Sequence, residues 1–208
     1  MRVELREVTK GKGITLPPTS VVFESGTVTR VVMETEQRPT VLGLIATGRM
    51  RPESGTVTID GEDSRRQLRR RIALVDAPNV SEPEPDVTFG GAIAEELMYA
   101  DRASSPVAAR LWARSMGMLD SFDLPMADVD PGTRIRALLE LAALRTHDGS
   151  NTIDGIVLVS PDRHGGDPRE WMRIAELLAA RGLAILIIAG SAADLLLTEH
   201  ADDLENEA

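Results

Sequence analysis

Val28-Thr29-Arg30-Val31-Val32-Met33-Glu34-Thr35-Glu36-Gln37-Arg38-Pro39-Thr40-Val41-Leu42-Gly43-Leu44-Ile45-Ala46-Thr47 is the stretch on which the fold turns. Val28 to Val32 has the composition of a buried strand, Thr40 to Thr47 predicts a short apolar helix, and Met33 to Pro39 is the loop joining them. That order of parts is the order of a phosphate-binding loop, G-x-x-x-x-G-K-[ST]. There the glycines let backbone N–H groups curl around the phosphates and the lysine neutralises them. In this chain Met33 and Arg38 stand at the glycine positions, Pro39 stands at the lysine, and only Thr40 matches. Proline contributes no N–H, and Glu34 and Glu36 place negative charge where a triphosphate needs positive. The stretch predicts a scaffold that has lost its phosphate chemistry.

Before it, Val3, Leu5 and Val8 mark one strand and Val21 to Phe23 a second; after it, Val57 to Ile59 mark another before the Asp60-Gly61 turn. These predict an antiparallel layer beside a central sheet. Beyond Ile72 to Val75 lies a proline-rich stretch, Pro78, Pro83 and Pro85, and then helical sequence: Ala92 to Ala100, Pro106 to Met116 and Gly132 to Arg145. Ile135, Leu138, Leu139 and Ala142 fall on one helical face, and Met116, Met118 and Met126 read as packing of this lobe. The pattern returns to strand and helix with Ile156 to Val159, a helix from Pro168 to Arg181 with Trp171, Ile174, Leu177 and Leu178 facing the core, and Leu183 to Ile188. Continuous apolar strands separated by an amphipathic helix predict a parallel sheet covered on both faces. A last helix is expected to start at a Ser191 cap and end in an acidic tail.

The 208 residues, 42% of them hydrophobic, suffice for a sizeable core. A net charge of −10 argues against a general nucleic-acid binder, and the local cluster Arg65, Arg66, Arg69, Arg70 and Arg71 reads as a solvated face or helix end. The absence of cysteine excludes disulfides and cysteine-ligated metal. No apolar run approaches the roughly 20 residues of a membrane span, and Met1 to Leu5 alternates as a strand rather than reading as a secretory signal. The expectation is a cytoplasmic protein, peripheral at the inner face of the membrane if its partner is there.

Four further segments, Glu24-Ser25-Gly26, Arg51 to Gly61, Arg70 to Val75 and Pro85-Asp86-Val87-Thr88, occur in an order and at spacings that resemble the nucleotide-binding subunit of an ATP-binding cassette (ABC) transporter, over nearly the whole chain. The resemblance implies an α/β fold: an ABC-ATPase-like core of the P-loop NTPase type, an antiparallel β side layer and a helical subdomain. The expected organisation is one domain over residues 1–208, with the core in 1–77 and 151–190, the helical subdomain in 78–150 and a frayed acidic tail in 200–208.

The departures from the family pattern fall on the residues that the resemblance assigns to nucleotide. Ala77, or Asp76 one place earlier, stands where the family has its magnesium-sensing glutamine, and Val129-Asp130-Pro131-Gly132-Thr133 stands at the L-S-G-G-Q signature. Ser160-Pro161 ends the strand expected to carry an aspartate and a catalytic glutamate; Gly190 falls on the switch histidine; no aromatic lies near Lys10 to Gly13. Two vestigial positions remain. Thr40 could hold a metal-bound phosphate or cap the helix after Pro39; Gly132 could be a signature glycine or part of a helix start with Asp130 as cap and Pro131 first. Asp162, His164 and Asp167 cluster after a parallel strand, so a metal or acid–base site is conceivable there; Ser160 lacks the G-x-S-x-G elbow of a hydrolase.

Three functions compete. The first is a catalytically silent cassette-like subunit acting through a membrane permease or an intact cassette subunit, without nucleic acid or cofactor. Its contact groove would be lined by Ala77, Pro78, Val80, Asp86 and Val87. The second is an ATP-binding subunit with an atypical or composite site, which would take ATP and magnesium. The third is a small-ligand binder that reuses the loop around Pro39.

Overall fold

The computed structural model describes residues 1–146 and 153–206. The boundary expected at 150/151 and the final two residues of the acidic tail lie outside the described residues.

Two sheets form the core. In the first, β1 (Arg2–Lys10) lies between β2 (Leu16–Glu24) and β4 (Ser54–Ile59), antiparallel to both. β2 starts earlier than its valines suggest and carries Pro17 and Pro18, which it tolerates because an edge strand need not donate every N–H. Glu7 interrupts the β1 register with a positive φ, and Gly55 faces the irregularity with φ 81°. A Cβ at Gly55 would lie 2.4 Å from the carbonyl oxygens of both Arg6 and Glu7, so Gly55→Ala is expected to cost at least about 2 kcal/mol in chemical denaturation.

The second sheet runs β3 (Val28–Val32), β7 (Ala184–Ala189), β6 (Gly155–Val159), β5 (Ile72–Val75), all parallel. The four segments expected in one parallel sheet are there. β6 and β7 are buried throughout because helices and the antiparallel sheet cover both faces. On one side α1 (Pro39–Ala46) and the antiparallel sheet enclose Phe23, Leu42, Ile45, Val157 and Leu186. Gly43 is what lets α1 approach: a Cβ there would meet Val159 Cγ2 at 2.8 Å. On the other side α5 (Pro131–Ala143), α6 (Pro168–Ala180) and α7 (Ser191–Asn206) pack over Ile156, Leu158, Ile185 and Ile187. The core stripe of α6 is Trp171, Ile174, Ala175, Leu178 and Ala179. Leu177, expected with them, is 50% exposed, because six residues past Trp171 it falls off a stripe that repeats every three to four.

A third apolar cluster joins α3 (Phe89–Tyr99), α4 (Pro106–Ser115) and the outer face of α5, with Met118 and Met126 buried in it. Ser64, Thr88, Ser105, Asp130 and Asp167 cap the helices that follow them. Two expected caps are corrected. Thr40 is the second residue of α1, behind Pro39; the cap position is Arg38, in a left-handed conformation with no side-chain cap bond. Ser191 is the first helical residue of α7, and its N–H is taken by a distant carboxylate. The backbone of α7 stays helical to Asn206, so the acidic segment expected to fray extends that helix as far as it is described.

Candidate functional site

Parallel α/β sheets receive ligands beyond the C-terminal ends of their strands. Here Met33, Asp76, Ser160 and Gly190 follow β3, β5, β6 and β7 at that edge. The loop after β3 is tied to β7 at its start and back onto itself at its end. Met33 N–H donates to Ala189 O at 2.8 Å, Thr35–Gln37 forms a 3-10 turn, and Arg38 N–H donates back to Thr35 O at 3.1 Å. Two carboxylates then claim the start of α7: Glu34 Oε1 accepts from Ser191 N–H at 2.8 Å and Asp162 Oδ2 accepts from Gly190 N–H at 3.1 Å. The bond from Ser191 N–H, helped by the Ser191 hydroxyl, holds the Glu34 carboxyl below the usual range. Asp162 Oδ1 is buried without a partner among the described residues.

Next to them lies a buried ion cluster centred on Asp76, whose side chain is 0% exposed. Oδ1 accepts from Arg134 Nη2 at 3.0 Å and lies 3.1 Å from Arg163 Nη2; Oδ2 is 2.9 Å from His164 Nε2. Arg134 projects from α5 and also donates to Met126 O at 3.3 Å; Arg163 follows β6 and also donates to Glu82 Oε2 at 2.9 Å. One carboxylate thus ties the parallel sheet to the helical lobe and to the turn after β6. Burial works to raise the Asp76 carboxyl, but the His164 hydrogen bond and the Arg163 and Arg134 charges outweigh it and hold the group below its ordinary value.

Beside the cluster opens a groove of about 540 Å³ lined by Glu82, Pro83, Pro85, Met126, Asp128 and Val129 among others. Of the contact residues expected nearby, Val80 is 50% exposed, Asp86 is exposed, and Pro78 and Val87 are half-buried. Ala77 is a correction: it is fully buried, and its carbonyl accepts the N–H groups of Val80, Ser81 and Glu82, so it anchors this loop from below.

The trio Asp162, His164 and Asp167 does not converge. Asp162 turns to Gly190, His164 to Asp76, and Asp167 caps α6 through Arg169 N–H; no group of three potential metal ligands occurs among the described residues. Gly132 is the second residue of α5, behind the Asp130 cap and Pro131, as the helix-start reading has it. The sequence pointed to Glu34 only as a negative charge in the loop, and gave no role to Arg134 or Arg163. Arg134 alone carried a signal, being a charged residue on the inward stripe that continues to Leu138 and Leu141.

No family model matches the chain, and no curated protein does. Solved structures do. A nucleotide-free ATP-binding cassette from an ABC transporter superposes with a TM-score of 0.66 at 16% identity, covering 95% of this chain and 85% of that one. An ATP-binding subunit of an ABC transporter gives 0.61 at 17%, covering 93% and 81%. MJ1267, an ATP-binding cassette of an ABC transporter in its ADP conformation, gives 0.62 at 16%, covering 91% and 82%. The chain has the ABC ATP-binding cassette fold, and no helix among the described residues is long and apolar enough to cross a membrane. The donor set at the sheet edge is a poor fit to a triphosphate. The loop N–H groups of Met33 and Arg38 are bonded internally, Pro39 has none, and the nearest side chains beside α7 are carboxylates.

Proposed function

We propose that this chain is a catalytically silent cassette-fold subunit that binds no nucleotide and acts through contacts with a membrane permease or an intact cassette subunit. The observation that carries this reading is the pair of carboxylates, Glu34 and Asp162, bonded to Ser191 and Gly190 N–H groups at the edge where a phosphate would have to sit. Anions at that place repel a triphosphate, and without lysine or catalytic acid the positioning and charge stabilisation of phosphoryl transfer are both missing. The retained helical lobe and the adjoining groove are then the working surfaces. In that role the protein is cytoplasmic and peripheral at the inner face of the membrane.

Calorimetry with magnesium-ATP and a phosphate-release assay test the reading. The expected result is no binding in the micromolar range and no turnover. Micromolar, magnesium-dependent binding would defeat it in favour of an atypical ATP site, and turnover lost in Ser160→Ala would restore an enzyme.

A further inference from the structure

At the opposite edge of the sheet, where the parallel strands begin, guanidinium groups outnumber the carboxylates that pair with them. Arg49 Nη1 donates to the carbonyls of Thr47 at 3.3 Å and of Ile72, the first residue of β5, at 3.2 Å. Arg69 Nη1, from α2 (Arg65–Arg71), donates to the neighbouring Gly48 O at 3.2 Å. Arg145, just beyond α5, pairs with Glu96 and lies over the Tyr99 ring, 5.6 Å from its centroid. Partial desolvation first, and then the like charges of Arg145 and Arg69, make Arg49 hold its proton less tightly than a free guanidinium does. Arg65 Nε and Arg145 Nε are buried with no acceptor among the described residues.

Compensating charge is sparse. Glu96 lies 3.5 Å from Arg145, while Asp60 and Asp154 are both engaged by Arg71. No ion pair among the described residues reaches Arg49, Arg65, Arg66, Arg69 or Arg70, although the chain as a whole carries a net charge of −10. Such convergence of like charge costs energy that a bound anion would relieve.

We propose that this cluster is an anion site for a phosphoryl group, with Arg49 and Arg69 as its ligands. Planar guanidinium forks match the oxygens of a phosphate and hold it by charge-assisted hydrogen bonds. Because it lies at the N-terminal edge of the strands, the site is separate from the edge where Glu34 and Asp162 sit. The phosphoryl group belongs either to a small soluble diphosphate or to an anionic lipid headgroup.

The experiment titrates inorganic pyrophosphate in low-salt, phosphate-free buffer into the wild type, Arg49→Gln, Arg69→Gln and, as a control at the other edge, Thr40→Val. Saturable binding is expected in the wild type and in Thr40→Val, weakened by about tenfold or more in each arginine variant. Thermal melts establish that the variants fold. A flotation assay with phosphatidic acid vesicles separates the sources. Flotation that depends on Arg49 and Arg69 assigns the phosphoryl group to a lipid, and pyrophosphate binding without flotation assigns it to a soluble ligand. Absence of both overturns the proposal, as does pyrophosphate binding that survives both arginine substitutions or is lost in Thr40→Val.

Discussion

Replacing Asp76 with alanine is expected to lower the unfolding free energy by about 3–5 kcal/mol, because it strands the Arg134 guanidinium, 6% exposed, without its counter-charge. Arg163 and His164, each 22% exposed, can turn toward water, so Arg134 dominates the loss. Asp76 also has a φ of 55°, which aspartate and asparagine tolerate better than alanine; Asp76→Asn isolates the charge from the backbone effect and is expected to remain clearly destabilising. Adding Arg134→Met to Asp76→Asn should recover most of the deficit, since the buried charge then goes with its partner. Urea denaturation measures all three variants, and a loss below about 1 kcal/mol for Asp76→Ala would mean that Arg134 is solvated in solution. The pH dependence has a definite direction. The carboxyl titrates lower in the folded protein than in the unfolded chain, so its contribution is fully present above an unfolded value of about 4 and is lost as pH falls through the folded one. The acid limb of the stability curve should therefore be shallower in Asp76→Asn.

Aspartates at Val80 and Val87 are expected to weaken association with the proposed permease or cassette partner by about 2–3 kcal/mol, roughly a hundredfold, if those side chains are covered in the complex. The loop that presents them is held in place before any partner arrives. Ala77 O gathers three N–H groups, and Val87 O accepts the Met126 N–H at 2.8 Å, so little ordering is left to be done on binding. Val80 is half exposed, which makes Val80→Asp nearly harmless to the isolated fold. The measurement is co-purification of the tagged protein from its own cell membranes, followed by titration against the recovered permease or cassette subunit. Recovery of free monomer alone, unchanged by either substitution, would remove the case for a partner-dependent role.

The architecture was legible because its signals are local and redundant. Val28 to Val32, Ile72 to Val75 and Ile156 to Val159 are apolar runs bounded by turn residues, and Asp130-Pro131 announces α5 through its own chemistry. The errors lie where a distant group decides. Ser191 looked like a cap because serine caps helices, yet the oxygen that binds its N–H comes from Glu34, 157 residues earlier. Ala77 looked like groove lining because it follows a strand, yet the loop folds over it. Asp76 was weighed only as a replacement for a glutamine; its partners are 58, 87 and 88 positions away, and no spacing rule reaches that far. Thr40 was misplaced as a cap by two positions, because Arg38 adopts a left-handed conformation that sequence gives no reason to expect of arginine.

If the chain binds no nucleotide, as proposed, the carboxylate of Glu34 on the first turn of α7 makes that condition hard to undo. Restoring a lysine at position 39 would add one attractive charge and leave Glu34 and Asp162 in place, fastened to Ser191 and Gly190. Removing either acid to admit a phosphate would first unfasten α7 from the loop after β3, with no compensating contact until the phosphate bound. On that reading, removing either acid lowers stability before it raises affinity for a phosphate, and the fold behaves as a ratchet that turns one way.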